Sequence, residues 1–109
     1  MARRPTKASV FAADCPSRDN LCLLGNKWCL LVLRALVGNT LRFGDLHRRV
    51  GGISQKMLAQ TLRGLEAKGL VDRRVYPETP VRIEYALTWR AEALAQPIEA
   101  ICRWAERSA

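Results

Sequence analysis

Lys56, Gln60 and Arg63 stand four and three residues apart, a spacing that brings side chains onto one face of a helix. Two cations and an amide on one face suit the edges of nucleic-acid bases. Lysine and arginine reach guanine or phosphate, and glutamine pairs with adenine. Gln55, beside Lys56, adds a second amide, and the Ser54 hydroxyl stands where the chain enters the helix. A second set of cations, Arg73, Arg74 and Arg82, surrounds the segment Tyr76-Pro77-Glu78-Thr79-Pro80, and suits phosphates or a narrow minor groove. The plain alternatives are a solvated helix face and a surface hairpin with solubilising arginines.

The elements that must carry these groups can be read from the punctuation of the chain. Ser54 is a good N-cap, Ile53 and Leu58 form a hydrophobic staple, and Gly69 stops the helix they open. Leu58, Thr61, Leu62 and Leu65 fall on its inner side. Phe43, Leu46 and Val50 form an apolar stripe on a short preceding helix, and Gly51 and Gly52 permit a sharp reversal between the two. After the second helix, the run Leu70 to Tyr76 pairs with a strand in which Val81, Ile83, Tyr85 and Leu87 alternate with Arg82, Glu84 and Ala86. The proline-stiffened connection is too long for a two-residue turn and projects as a wing. Helix, turn, helix and wing in this order predict a winged helix-turn-helix. The fold class expected is α+β, mainly helical, with a β-hairpin wing and further N- and C-terminal helices.

Composition narrows the class of partner. The 109 residues suffice for one compact domain, and 18 Lys and Arg against 10 Asp and Glu leave a formal charge of +8. Such a chain attracts a polyanion. Membrane lipid is the competing polyanion, but Asn26, Lys27 and Arg34 interrupt the apolar stretch Leu21 to Val37, and the basic N-terminus leads into no long signal core. A cytoplasmic protein with double-stranded DNA as partner is expected, and no membrane. No glycine-rich phosphate loop, Ser-His-Asp set or carboxylate cluster points to an enzyme. Trp28, Trp89 and Trp104 could line a ligand cavity, although packing explains them more simply. No cofactor is expected.

Residues 1–14 hold Arg3, Arg4, Pro5 and Lys7 without apolar periodicity and are expected to form a basic tail, with the domain spanning 15–109. Cys15 and Pro16 open an N-terminal helix that Gly25 stops. A helix from about Lys27 to Val37 is apolar nearly all round and should be the central buried one. The last helix, roughly Trp89 to Arg107, places Leu94, Ile98, Ile101 and Ala105 on one stripe, and Pro97 should kink or divide it near Ala93 to Gln96. That stripe, with apolar residues of the N-terminal helix, predicts a homodimer, although folding back onto its own domain is the other use it could have.

Several separated motifs resemble one family. Cys15-Pro16, Leu24-Gly25-Asn26-Lys27-Trp28, Leu41-Arg42-Phe43-Gly44-Asp45-Leu46, Gly52-Ile53-Ser54-Gln55-Lys56-Met57-Leu58 and Val75-Tyr76-Pro77-Glu78 are similar to the HxlR-type winged helix-turn-helix transcriptional regulators of bacteria. Asn26, Val81 and Ala91 depart from the pattern, where the family often has glycine, proline and glycine. The resemblance implies a homodimer joined through its N- and C-terminal helices on a partly palindromic operator. The function expected is a sequence-specific regulator, most simply a repressor. The alternative is a winged helix used only as a protein-interaction module.

Cys15, Cys22, Cys29 and Cys102 are the four cysteines, read as thiols because no secretory signal precedes them. Their spacing lacks a close pair, and His47 is the sole histidine, so no metal site is expected. Cys22 and Cys29 lie in apolar runs and suit a core. Cys15 differs, because a sulfur at a helix cap faces unpaired N–H groups that favour thiolate. A cysteine at this Cys-Pro position senses electrophiles or oxidants in some members of the resembled family, which implies the same role for Cys15, with a small electrophile or oxidant as effector.

Overall fold

The computed structural model describes Phe11 and residues 24–109. The tail, the expected helix opening at Cys15, and Cys15 and Cys22 themselves therefore lie outside the described residues. Helix α1, Lys27–Leu36, is started by Asn26, whose side-chain oxygen accepts from the Trp28 N–H at 2.8 Å. The residue that departs from the family pattern is thus a competent N-cap. Cys29, Val32, Leu33, Ala35 and Leu36 of α1 are buried. Every other described layer of the fold packs on this helix or one removed from it. It is not apolar all round in use, however: Leu31 and Arg34 face solvent. The described elements cover one broad side of α1, and Leu31 and Arg34 line a cleft against the last helix.

Helix α2, Phe43–Arg49, starts at Arg42, whose backbone N–H donates to the Asp45 carboxylate at 3.2 Å. Leu46 plugs α2 into the core with no exposed surface. Gly52 has φ +87°, a left-handed conformation that side chains resist, and it reverses the chain into helix α3, Gln55–Ala67. Ser54 Oγ accepts from the Met57 N–H at 3.0 Å, and Leu58, Thr61, Leu62 and Leu65 are buried. At the far end, Leu70 N–H reaches Leu65 O at 2.9 Å and Gly69 N–H reaches Glu66 O at 3.0 Å. This pair of bonds across a left-handed glycine satisfies the last carbonyls of the helix.

Strands β1, Val71–Tyr76, and β2, Arg82–Leu87, are antiparallel, in register from Val71↔Leu87 to Tyr76↔Arg82. Leu41 exchanges both backbone hydrogen bonds with Tyr85, at 2.9 and 2.8 Å, and so lays a one-residue third strand beside β2. The strict alternation expected for β2 is not observed. At the base of the hairpin Ala86 and Leu87 are both buried, whereas Val75 and Val81 are about half exposed toward the tip. The base is covered on both faces; the tip extends past the helices and has a core on neither.

Helix α4, Trp89–Glu92, is followed by a break at Ala93 and Leu94, and then by α5, Ala95–Arg107. Pro97 is the third residue of α5, where its missing N–H breaks no intrahelical bond, so the division falls just before the proline. Ala91 is fully buried.

Candidate nucleic-acid interface

Burying Leu58, Leu62 and Leu65 of α3 leaves Gln55, Lys56, Gln60 and Arg63 on the exposed side of the helix. Lys56 and Arg63 have no ion-pair partner among the described residues. Among the described residues no carboxylate competes with an anion or a base edge for their charge. Ser54 is exposed too, but its oxygen is occupied by the cap on Met57. Its hydroxyl proton is what it can still give to a phosphate.

The three hairpin arginines do not act as one patch. Arg73 and Arg74 are successive strand residues and point to opposite faces. Arg73 and Arg63 line the same hollow of about 420 Å³, together with Phe43, Tyr85 and Glu66. This gathers one cation of the hairpin with one of α3 in the crevice between them. Arg74 lies on the other face, 3.9 Å from Asp72, in a hollow shared with Asn39 and Glu92. It is therefore separated from the Arg63 and Arg73 pair.

Arg82 departs furthest from expectation. Its Nη2 and Nε donate to the two Glu78 carboxylate oxygens at 2.9 and 3.3 Å, and its Nη1 donates to Glu84 at 2.7 Å. The guanidinium also stacks 4.0 Å from the centre of the Tyr76 ring. The Arg82 hydrogen bonds hold the Glu78 carboxyl below the usual carboxylate range and raise the arginine further still. Far from being a free cation at the wing, Arg82 is paired on both sides, because the alternation of β2 sets Glu84 two residues along the same face.

Further polar groups around these elements are not singled out by the pattern of the sequence. Arg42, at the start of α2, is close enough to Glu78 to lower its carboxyl further. Arg48 and Arg49 are exposed on α2, with Arg48 bound to Asp45 at 2.6 Å. Thr88 Oγ1 donates to Gly69 O at 2.7 Å, and Arg90 donates to Lys68 O at 2.8 Å. These two residues close the C-terminal end of α3. A basic residue near a helix C-terminus is a known signal in sequence, but here it comes from 22 residues away, where no local pattern shows it.

The expected dimer stripe is divided as well. Ile98 is only 3% exposed and Leu94 packs on the core, so both are used by the chain's own fold. Ile101 is 49% exposed and Ala105 also faces solvent. A helical period shows that a face is apolar without showing what covers it. Trp89 and Trp104 are 85% and 63% exposed, so packing among the described residues explains Trp28 alone, which lies against the core with Lys27 over its ring at 4.5 Å. Cys102 is half-buried in a cleft of about 440 Å³ between α1 and α5, and Cys29 is in the core, where burial pushes its thiol up. Among the described residues no cluster of His, Cys, Asp and Glu could hold a metal ion, and no helix is long and apolar enough to cross a membrane.

Residues 23–109 match the family model described as HxlR-like helix-turn-helix. Over 106 residues the chain is 40% identical to YtfH of Escherichia coli (strain K12), itself an uncharacterized HTH-type transcriptional regulator, covering 97% of this chain and 84% of that protein. The fold is similar to the reduced form of the transcriptional regulator YodB from Bacillus subtilis, with TM-score 0.74 and 37% identity over 85% of this chain and 92% of that one. It is similar also to the redox regulator HypR in its oxidized form, with TM-score 0.79 and 33% identity over 85% of this chain and 96% of that one.

Proposed function

The chain belongs to the HxlR-like helix-turn-helix family and is a DNA-binding transcriptional regulator, and we propose that it acts as a homodimeric repressor on a partly palindromic operator. The observation that carries DNA reading is the face of α3 on which Lys56, Gln60 and Arg63 are exposed and unpaired among the described residues. Gln55, Lys56, Gln60 and Arg63 read bases from the major groove; Ser54 and Arg73 hold phosphates on either side. Exposed Trp89, Ile101, Trp104 and Ala105 support a second copy as the occupant of the C-terminal face, and a twofold dimer presents two α3 helices to successive major grooves. A cytoplasmic location goes with this role.

The effector proposed is an oxidant or electrophile acting at Cys15. It is supported by the helix-cap position expected for that thiol and by the likeness to HypR, a redox regulator, and to YodB, solved in reduced and diamide-treated forms. The test is a gel-shift series on the intergenic DNA beside the gene, with and without diamide, for the native protein and Cys15→Ser. Binding by the native protein that diamide weakens, with Cys15→Ser unresponsive, is the expected result. Equal responses would remove Cys15 from the switch, and no sequence-preferring shift at all would overturn the operator reading.

A further inference from the structure

The wing carries its cation in a form that is already neutralised. Arg82 is 29% exposed and joins Glu78, 53% exposed in the wing loop, to Glu84, 21% exposed on β2. One guanidinium is thus shared between two carboxylates, and Arg42 acts on Glu78 as well. Three of the five N–H groups of Arg82 are taken by Glu78 and Glu84 and its face lies on the Tyr76 ring, so Arg82 could give its charge wholly to a phosphate only by leaving these partners. It would then exchange one anion for another while leaving Glu78 and Glu84 without their hydrogen-bonded cation beside the DNA backbone, where like charge repels.

The positions of the partners indicate what the cluster does instead. Tyr76 and Arg82 are register partners on the last rung of the hairpin, and Glu78 lies in the loop between them. Arg82 therefore ties the end of β1, the loop and the start of β2 to a single planar group. Arg73, by contrast, has no ion pair among the described residues and opens onto the crevice shared with Arg63 and Glu66.

We propose that Arg82 is a positioning residue, which stays bound to Glu78 and Glu84 in the protein–DNA complex and holds the wing in the shape that fits the groove, while Arg73 makes the phosphate contact on the hairpin side. The proposal rests on the DNA-binding reading above. Salt dependence separates the two roles, because each phosphate neutralised adds about one to the slope of log K against log salt.

The experiment measures binding to a duplex from the adjacent intergenic DNA over a range of salt for the native protein, Arg82→Ala, Arg82→Lys, Glu78→Gln and Arg73→Ala. Arg82→Ala should weaken binding several-fold with an unchanged slope, and Arg73→Ala should reduce the slope by about one. Arg82→Lys, which keeps the charge but cannot span two carboxylates, should behave as Arg82→Ala. Glu78→Gln should weaken binding although it removes an anion near the DNA. The proposal is overturned if Arg82→Ala lowers the slope by about one, if Arg82→Lys matches the native protein, or if Glu78→Gln tightens binding. Absence of any salt-dependent binding by the native protein would count against the regulator reading. The tie is then read without DNA, by NMR titration of the Glu78 carboxyl: its midpoint should rise in Arg82→Ala and stay in place in Arg73→Ala, and no rise in Arg82→Ala would overturn the proposal.

Discussion

Lys56 and Arg63 reach solvent without a carboxylate partner among the described residues, so each can give its full charge to a base edge or a phosphate. Gln60 lies between them on the same side of α3, and two of its neighbours, Ala59 and Gly64, are too small to hold a groove wall away. Replacing Lys56 or Arg63 by alanine should relax preference at defined base pairs by about 1 to 3 kcal/mol each. Competition gel shifts with operators substituted one base pair at a time measure this; equal loss on every sequence would make these residues phosphate contacts only. The face of α3 was legible because helical period and caps are local properties of the chain. The fate of Arg82 was not, since whether a cation is free depends on partners that a strand and its loop bring beside it, and Glu78 and Glu84 carry no mark of that pairing in a linear reading.

At the scale of elements, the junction between α3 and β1 is the most constrained. Gly69 has φ +75°, and a Cβ built there would lie 3.3 Å from the Arg90 guanidinium that caps Lys68 O. Gly69→Ala is therefore expected to cost about 1 to 2 kcal/mol, read as a shift in the urea midpoint with unchanged m. A loss no larger than that of an exposed helical alanine exchange would show that the end of α3 adapts freely. The wing responds to acid with a definite sign. Glu78 titrates below its ordinary value in the folded chain, so the order it contributes is present above the unfolded carboxylate range and disappears as pH falls through the lower, folded value. The protection factors of the amides in residues 75–82 should fall in that acidic window in the native protein, and already be low at neutral pH in Arg82→Ala. The helix pair and hairpin could be foreseen from Ser54, Gly52, Gly69 and the two prolines of the loop. The third strand at Leu41 could not, because a single residue has no period, and Pro97 could be foreseen as a break but not as a residue lodged harmlessly in the first turn of α5.

For the whole molecule, Ile98 and Ile101 sit three residues apart on α5 yet belong to different surfaces, at 3% and 49% exposure. Ile98→Asp should abolish folding, because it strands a charge in the core. Ile101→Asp combined with Trp104→Glu should leave a folded chain that sediments as a monomer and loses operator affinity by orders of magnitude, since the two half-sites are then no longer bound together. A double variant that stays dimeric would place the second copy elsewhere. The fastening of α4 to the end of α3 by Thr88 and Arg90 has a mechanical meaning for such a dimer. Only the Ala93-Leu94 break separates α4 from α5, so in the proposed dimer a shift of the helix that carries the exposed apolar face is expected to pass through α4 to the helix that reads DNA. An α-helix of 13 residues is about 20 Å long at a rise of ~1.5 Å per residue, and tilting it by about 10° sweeps its far end through roughly 3 Å. Successive half-sites lie about 34 Å apart along one face of the duplex, so a movement of that size at the subunit seam becomes an error in phase between two readers that must arrive in step.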